Sequence, residues 1–223
     1  MCEACWTALR LAPRLDERFS DRHPVIWAAA VDHYEGRMRE IVHALKYDRR
    51  RTIAPRLGAL MRASGCDVLR GADAVVPVPL HPLREYRRGF NQARELALHL
   101  GPPVLPLLRR VRHTRSQIDL PKHERQLNVQ GAFAVIDKPE GLSPQALMPG
   151  SPQEEILRSD KPLGCGDKPL GCGDKPLGLS IIVLVDDVST TGATLDACAR
   201  VLKAAGVREI RALTAARVVN ERR

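Results

Sequence analysis

The 223-residue sequence predicts an α/β architecture, a mostly parallel central sheet flanked by helices. Three observations predict it. Short β-branched runs alternate along the chain with segments whose apolar residues recur at helical spacing. The strongest run, IIVLV (Ile181 to Val185), is apolar at every position, as a strand covered on both faces must be. It leads through a glycine-bearing turn straight into a helix, the connection from which parallel units are built.

Taken in order, Tyr34, Met38, Ile41, Val42 and Leu45, followed by Ile53, Leu57 and Leu60, predict two helices between His33 and Leu60. They join near the basic run Asp48 to Arg51. ADAVVPVPL, Ala72 to Leu80, reads as a buried strand whose closing prolines feed a loop. Asn91 to Leu100 is an amphipathic helix, VLPLL (Val104 to Leu108) a second strand, and Gly131 to Ile136 a third. After Ile181 to Val185 come a helix from Ala193 to Ala205, closed by Gly206, and a last strand from Glu209 to Ala215.

Between Asp137 and Ser180 lie 44 residues that fit neither period. DKPLGCG occurs there at Asp160 to Gly166 and again at Asp167 to Gly173, with DKPLG at Asp174 to Gly178. Proline and glycine in every copy forbid a continuous helix, so the expectation is a disordered loop insertion. A metal tether through Cys165 and Cys172 is the alternative reading. GCG is no dinucleotide fingerprint, because the third glycine is missing.

Composition narrows the function classes. No apolar run approaches the ~20 residues of a membrane span, and MCEACWTALR lacks the pattern of a secretory leader, so no membrane insertion and a cytoplasmic location are expected. Of the six cysteines only Cys2 and Cys5 have ligand-like spacing, which excludes a disulfide framework. The net charge is +9, and Arg84 to Arg125 holds ten Lys/Arg against four Asp/Glu. That segment calls for an anionic partner.

The chemistry concentrates after the strongest strand. Asp186 and Asp187 stand where a parallel strand delivers its end to the ligand crevice. The turn Ser189, Thr190, Thr191, Gly192, Ala193, Thr194 opens a helix, so its free N–H groups and hydroxyls suit an anion. It lacks the lysine of a nucleotide-triphosphate loop, which points to a monophosphate. Two carboxylates upstream can accept hydrogen bonds from a vicinal diol, and a sugar phosphate satisfies both halves.

VLVDDVSTTGATL, Val183 to Leu195, resembles the phosphoribosyl-pyrophosphate (PRPP) signature of type I phosphoribosyltransferases. YEGRMREIVHALKYDRR (Tyr34 to Arg50), VVPVPLHPLREYRRGFNQARELA (Val75 to Ala97) and RHTRSQIDLPKHERQLNVQGAF (Arg112 to Phe133) extend the likeness to the ComF competence-protein family, a branch of that superfamily. The resemblance implies a type I phosphoribosyltransferase-like fold and a PRPP site. Asp186 and Asp187 would hold the ribose hydroxyls, and Ser189 to Thr194 the 5′-phosphate. Arg84, Arg87, Arg88 and Arg112 would hold pyrophosphate, and Arg115 would act with the two aspartates as a catalytic residue on a mobile loop. Arg88 and Arg115 rank ahead of Arg94 and Arg109. Mg²⁺ is implied as the counter-ion of the leaving group, held mainly by substrate oxygens and water.

The implied activity is Mg²⁺-dependent phosphoribosyl transfer from PRPP to an unnamed acceptor, in a protein of DNA uptake and natural transformation. The acceptor would be chosen by a hood formed by Val25 to Met61 with Arg125 to Phe133. The alternative is a non-catalytic competence factor that binds single-stranded DNA or a DNA-processing partner, with PRPP as regulator. A homodimer is compatible with either. The expected organisation is a zinc-knuckle remnant at 1–24, the enzyme-like domain at 25–136 and 179–218, and the insertion at 137–178. ComF-like proteins begin with two CxxC knuckles, whereas only Cys2 and Cys5 are present here, so the Zn²⁺ site is incomplete. His23 is a candidate third ligand. A start codon set too late, loss of the site, or a site completed between two chains would each account for this.

Overall fold

The computed structural model describes Trp6, Thr7, Leu9 and residues 15–20, 23–47, 50–112, 128–136 and 178–218. The first sheet strands are β1 (Leu15–Arg18) and β2 (Trp27–His33), followed by helices α1 (Gly36–Tyr47), α2 (Ala54–Ser64) and the short α3 (Cys66–Leu69). Strand β3 (Ala74–Pro77) precedes α4 (Pro82–Arg88) and α5 (Gln92–Ala97). Strands β4 (Leu108–Arg110) and β5 (Phe133–Val135) come next, then β6 (Ile181–Ser189), α6 (Ala193–Ala204) and β7 (Glu209–Arg217).

The main sheet has the order β1-β2-β7-β6-β3. β2, β7, β6 and β3 run parallel, and β1 is an antiparallel edge. The predicted mixed architecture, a mostly parallel sheet flanked by helices, is therefore present. Period-two alternation explains its two dry faces. Val183 and Val185 point into one apolar layer with Met38, Leu45 and Leu57, while Ile182 and Leu184 point into another with Cys198 and Leu202. Each fully buried aliphatic side chain contributes roughly 1.5–3 kcal/mol.

Asp73 ties β3 and β6 together at their starts. Its Oδ2 accepts hydrogen bonds from the backbone N–H groups of Ser180 and Ile181, at 2.6 and 2.8 Å. The strand that carries the acids therefore enters beside β3, whatever the length of the chain between them.

Several elements differ from expectation. β6 does not stop at Val185 but runs through both aspartates to Ser189, because its pairing with β7 keeps one offset from Ile181↔Glu209 to Ser189↔Arg217. VLPLL does not form a sheet strand. Val104 makes an isolated bridge to Val75, and Pro103, lacking an N–H, cannot extend that ladder. The nearby strand is β4, which pairs antiparallel with β5 in a separate ribbon. Val25 to Met61 is no appended hood: β2 belongs to the main sheet, and α1 and α2 supply much of one core layer. Within the expected N-terminal remnant, Trp6 and Leu9 lie in that same core and β1 edges the sheet. Cys2, Cys5 and nearly all of the 137–178 segment, with its Cys165 and Cys172, fall outside the described residues.

The packing of β7 against α2 is tight enough to test. Leu213 is fully buried, and a Cβ built on Gly65 would stand only 2.5 and 2.8 Å from its two methyls. Leu213→Ala is expected to lower stability by about 2–5 kcal/mol, read as a lower urea midpoint with an unchanged slope.

Candidate functional site

The site forms at the carboxyl ends of β3 and β6. Asp187 continues the row of Val183 and Val185, and its Oδ1 lies 3.0 Å from the ammonium of Lys46 on α1. It is buried, at 8% exposure. Asp186 faces the opposite layer, where its titratable and charged neighbours are Arg110 on β4 and Cys198 on α6. The Asp187 N–H donates to Asp186 Oδ1 at 2.8 Å. The two acids are adjacent in sequence but differently surrounded.

Electrostatics separates them further. Burial, and then the neighbouring Asp187, push the Asp186 carboxyl up to about 7, while Lys46 and Arg110 oppose the rise. Burial alone would lower the Lys46 ammonium, but the charge and hydrogen bond of Asp187 outweigh it, and the net shift is upward. Burial and then Arg84 pull Arg110 below the ordinary guanidinium range. Burial and then Asp186 push the Cys198 thiol well up, so it is an inert core group.

The turn after β6 behaves as its residue types require. Gly192 takes φ +78, a left-handed conformation that a side chain would strain, and the helix α6 begins at the next residue. Thr191 Oγ1 accepts from the Ala193 N–H at 3.4 Å. Asp186, Ser189, Thr190, Gly192, Ala193 and Thr194 line one small cavity. Five of the six turn residues, all but Thr191, thus border this hollow of about 10 Å³, and Asp186, not Asp187, shares it. On its other side the turn borders a cavity of about 620 Å³, floored by Ala28, Ala30, Ala212 and Thr214 and walled by His23 and Asp196.

The stretch Leu80 to Asn91, read from the sequence as a loop, contains helix α4. His81 caps it by accepting from the Leu83 N–H, and Gly89, at φ +81, ends it. No residue of α4 is buried, so Arg84, Arg87 and Arg88 stand on a helix that packs little of its own surface. Arg84 comes near Arg110, and Arg88 lies 5.3 Å from the ring of Tyr47. Asn91 accepts from the N–H groups of Ala93 and Arg94 and donates to the Val78 carbonyl, fixing the exit from the loop. Arg112 follows β4, Arg94 sits on α5, Arg109 is exposed, and Arg115 lies outside the described residues.

Two functional candidates escaped the sequence reading. Lys46 follows Met38 and Val42 at helical spacing on the buried stripe of α1, and a lysine at a core position is the signal that marks it. Arg110 carries no such mark. Its alternation within β4 turns it inward beside Phe133. Among the described residues no group of three or more His, Cys, Asp or Glu could hold a metal, and His23 turns its Nε2 to Asp196 at 3.6 Å.

No protein-family model matches the chain. It is 27% identical over 190 residues to "Competence protein F" of Haemophilus influenzae, covering 81% of this chain and 68% of that protein. Its curated homologues are of the ComF family. The "DNA utilization protein YhgH" of Salmonella typhimurium is 29% identical over 186 residues, covering 78% of this chain and 64% of the relative. The YhgH of Salmonella typhi is 28% identical over the same length. The chain thus spans about two thirds of the length of the curated ComF relatives it matches. Among the described residues no helix is long and apolar enough to cross a membrane.

The raised Asp186 carboxyl has a consequence for stability. Its folded value of about 7 stands above the ordinary 3.8, so the folded chain holds a proton that the unfolded chain releases between those values. Stability therefore falls as pH rises through that window and levels off above it, by up to about 4 kcal/mol. Asp186→Asn is expected to flatten this fall. Urea unfolding of both proteins at acidic and alkaline pH measures it.

Proposed function

We propose that the chain has a type I phosphoribosyltransferase-like fold and binds PRPP. The observation that carries the reading is that Asp186 borders the same small hollow as Ser189, Thr190, Gly192, Ala193 and Thr194, a carboxyl beside a helix start suited to an anion. The turn takes the 5′-phosphate through its N–H groups and hydroxyls. Of the two expected acids, Asp186 receives the ribose diol, since Asp187 is tied to Lys46. Arg84, Arg87 and Arg88 on α4, with Arg110 and Arg112, face the pyrophosphate, and guanidinium forks suit its oxygens.

Departure of pyrophosphate leaves positive charge at the sugar, and negative carboxylates nearby stabilise it. Arg115 is proposed to close on the same substrate. The clustered arginines fit a pyrophosphate that travels with Mg²⁺, which neutralises the leaving group when bound. We assign it no protein ligand. The acceptor enters the cavity of about 620 Å³ that shares the turn as one wall, whose lining includes Val25 and Ala28 to Ala30 of the expected acceptor region. The relatives' names, competence protein F and DNA utilization protein YhgH, support a role in competence and DNA use.

Isothermal titration with PRPP and Mg²⁺ tests the reading. Binding to the wild type and none detectable to the Asp186→Asn, Asp187→Asn double variant is the expected result, and equal binding by both would overturn the assignment. Pyrophosphate release, screened against nucleobases, amines and DNA, then names the acceptor class.

A second reading, single-stranded DNA or a DNA-processing partner as the ligand with PRPP as regulator, rests on a different observation. Tyr86 is 87% and Tyr47 52% exposed beside the arginines of α4, and exposed rings among cations are what bases stack on. Tyr86→Ala is expected to weaken low-salt binding of a labelled single-stranded oligonucleotide by about 5- to 100-fold, from roughly 1–3 kcal/mol per stacked base. Fluorescence anisotropy that shows no binding by the wild type would remove this reading.

A further inference from the structure

The acid pair has a cation of its own, supplied by a helix that no phosphate-binding feature involves. Along α1 the buried positions are Met38, Ile41, Val42 and Leu45, and Lys46 falls one turn after Val42 on the same stripe. Its ammonium meets Asp187 Oδ1 at 3.0 Å, with side-chain exposures of 18% and 11%. A buried ion pair of this kind is costly to break, because either partner alone is left as an uncompensated charge.

The other groups around the pair are few and identifiable. Tyr34 approaches Lys46 from the start of α1, Asp186 follows behind Asp187, Arg110 and Cys198 face Asp186, and Arg84 faces Arg110. One buried ammonium therefore stands against two adjacent acids and bonds to only one of them. Asp186 is left at the small cavity under the turn, where Asp187 does not reach.

We propose that Lys46 is a positioning residue that divides the labour of the two aspartates: it holds the Asp187 carboxylate on the α1 side of β6 and leaves Asp186 as the acid presented to a ligand at the turn. The identity of that ligand rests on the PRPP reading, whereas the division itself rests on the ion pair and on strand alternation. The upward shift of Asp186 agrees with it, since the like charge of a fixed Asp187 carboxylate favours the protonated neighbour.

Carbon-13 NMR of protein labelled at the aspartate carboxyls tests the division without any ligand, with signals assigned through Asp186→Asn and Asp187→Asn. In the wild type the Asp186 signal is expected to titrate across neutral pH. In Lys46→Met the Asp187 signal is expected to move into that range, and Lys46→Arg is expected to restore the wild-type pattern. An Asp187 signal that Lys46→Met leaves unchanged overturns the proposal, as does failure of Lys46→Arg to restore it while folded by circular dichroism. Lys46→Gln, which keeps the stem and a hydrogen-bond donor, replaces Lys46→Met if the latter does not fold.

PRPP with Mg²⁺ then reads the consequence. Binding is expected to weaken at least about tenfold in Lys46→Met or Lys46→Gln, the cost of about 1.4 kcal/mol, and to recover in Lys46→Arg. A wild type that fails to bind PRPP overturns the ligand reading and leaves the carboxyl titrations to decide on Lys46.

Discussion

Strand β6 lies between β7 and β3 with an apolar layer on each face, and the placing of charge in this molecule follows from that burial. From Ile182 to Val185 the strand carries nothing that water must reach. Its register with β7 does not slip where the acids begin, so Asp186 and Asp187 inherit the alternation of the aliphatic residues before them. Two carboxylates at the edge of a dry core need partners, and they find different ones. Lys46 reaches one from the helix layer above, and Arg110 approaches the other from the small ribbon below.

β6 ends at Ser189, and three residues on a left-handed Gly192 opens α6. The N–H groups freed at a helix start point along its axis, so an anion held there sits beside whatever the strand end presents. Asp186 is that group. The α4 helix differs, since it buries no residue and contributes charge without core. A rigid floor of sheet and turn thus faces a lightly anchored basic segment, the combination expected where a ligand must enter before the site closes.

The likeness to competence protein F and to YhgH covers about four fifths of the chain, which spans about two thirds of those relatives. The sheet face beside α6 is floored by alanine and threonine where larger residues would fill it, which leaves room for a second molecule next to the turn. Small residues on a central sheet sacrifice buried area, and a cavity there is consistent with selection for a ligand over packing.

Layering and the glycine turn before α6 were legible in the residues, because spacing reports faces: apolar runs without alternation mark a strand covered twice, and Met38, Ile41, Val42 and Leu45 mark one helix side. Proline positions also hinted at limits, yet the bridge of Val104 to Val75 in place of a strand depended on where an absent N–H fell against a neighbour. The edge strand β1 was illegible, since LDER is polar and short, and its strand state comes from pairing with β2. The sequence by itself determined which residues turn inward and that two acids and a hydroxyl-rich turn would stand together after the strongest strand. Only the tertiary structure decided which acid meets which cation, because the Lys46 and Asp187 side chains are joined by the closing of α1 over β6, and local spacing carries no record of a partner so distant in the chain.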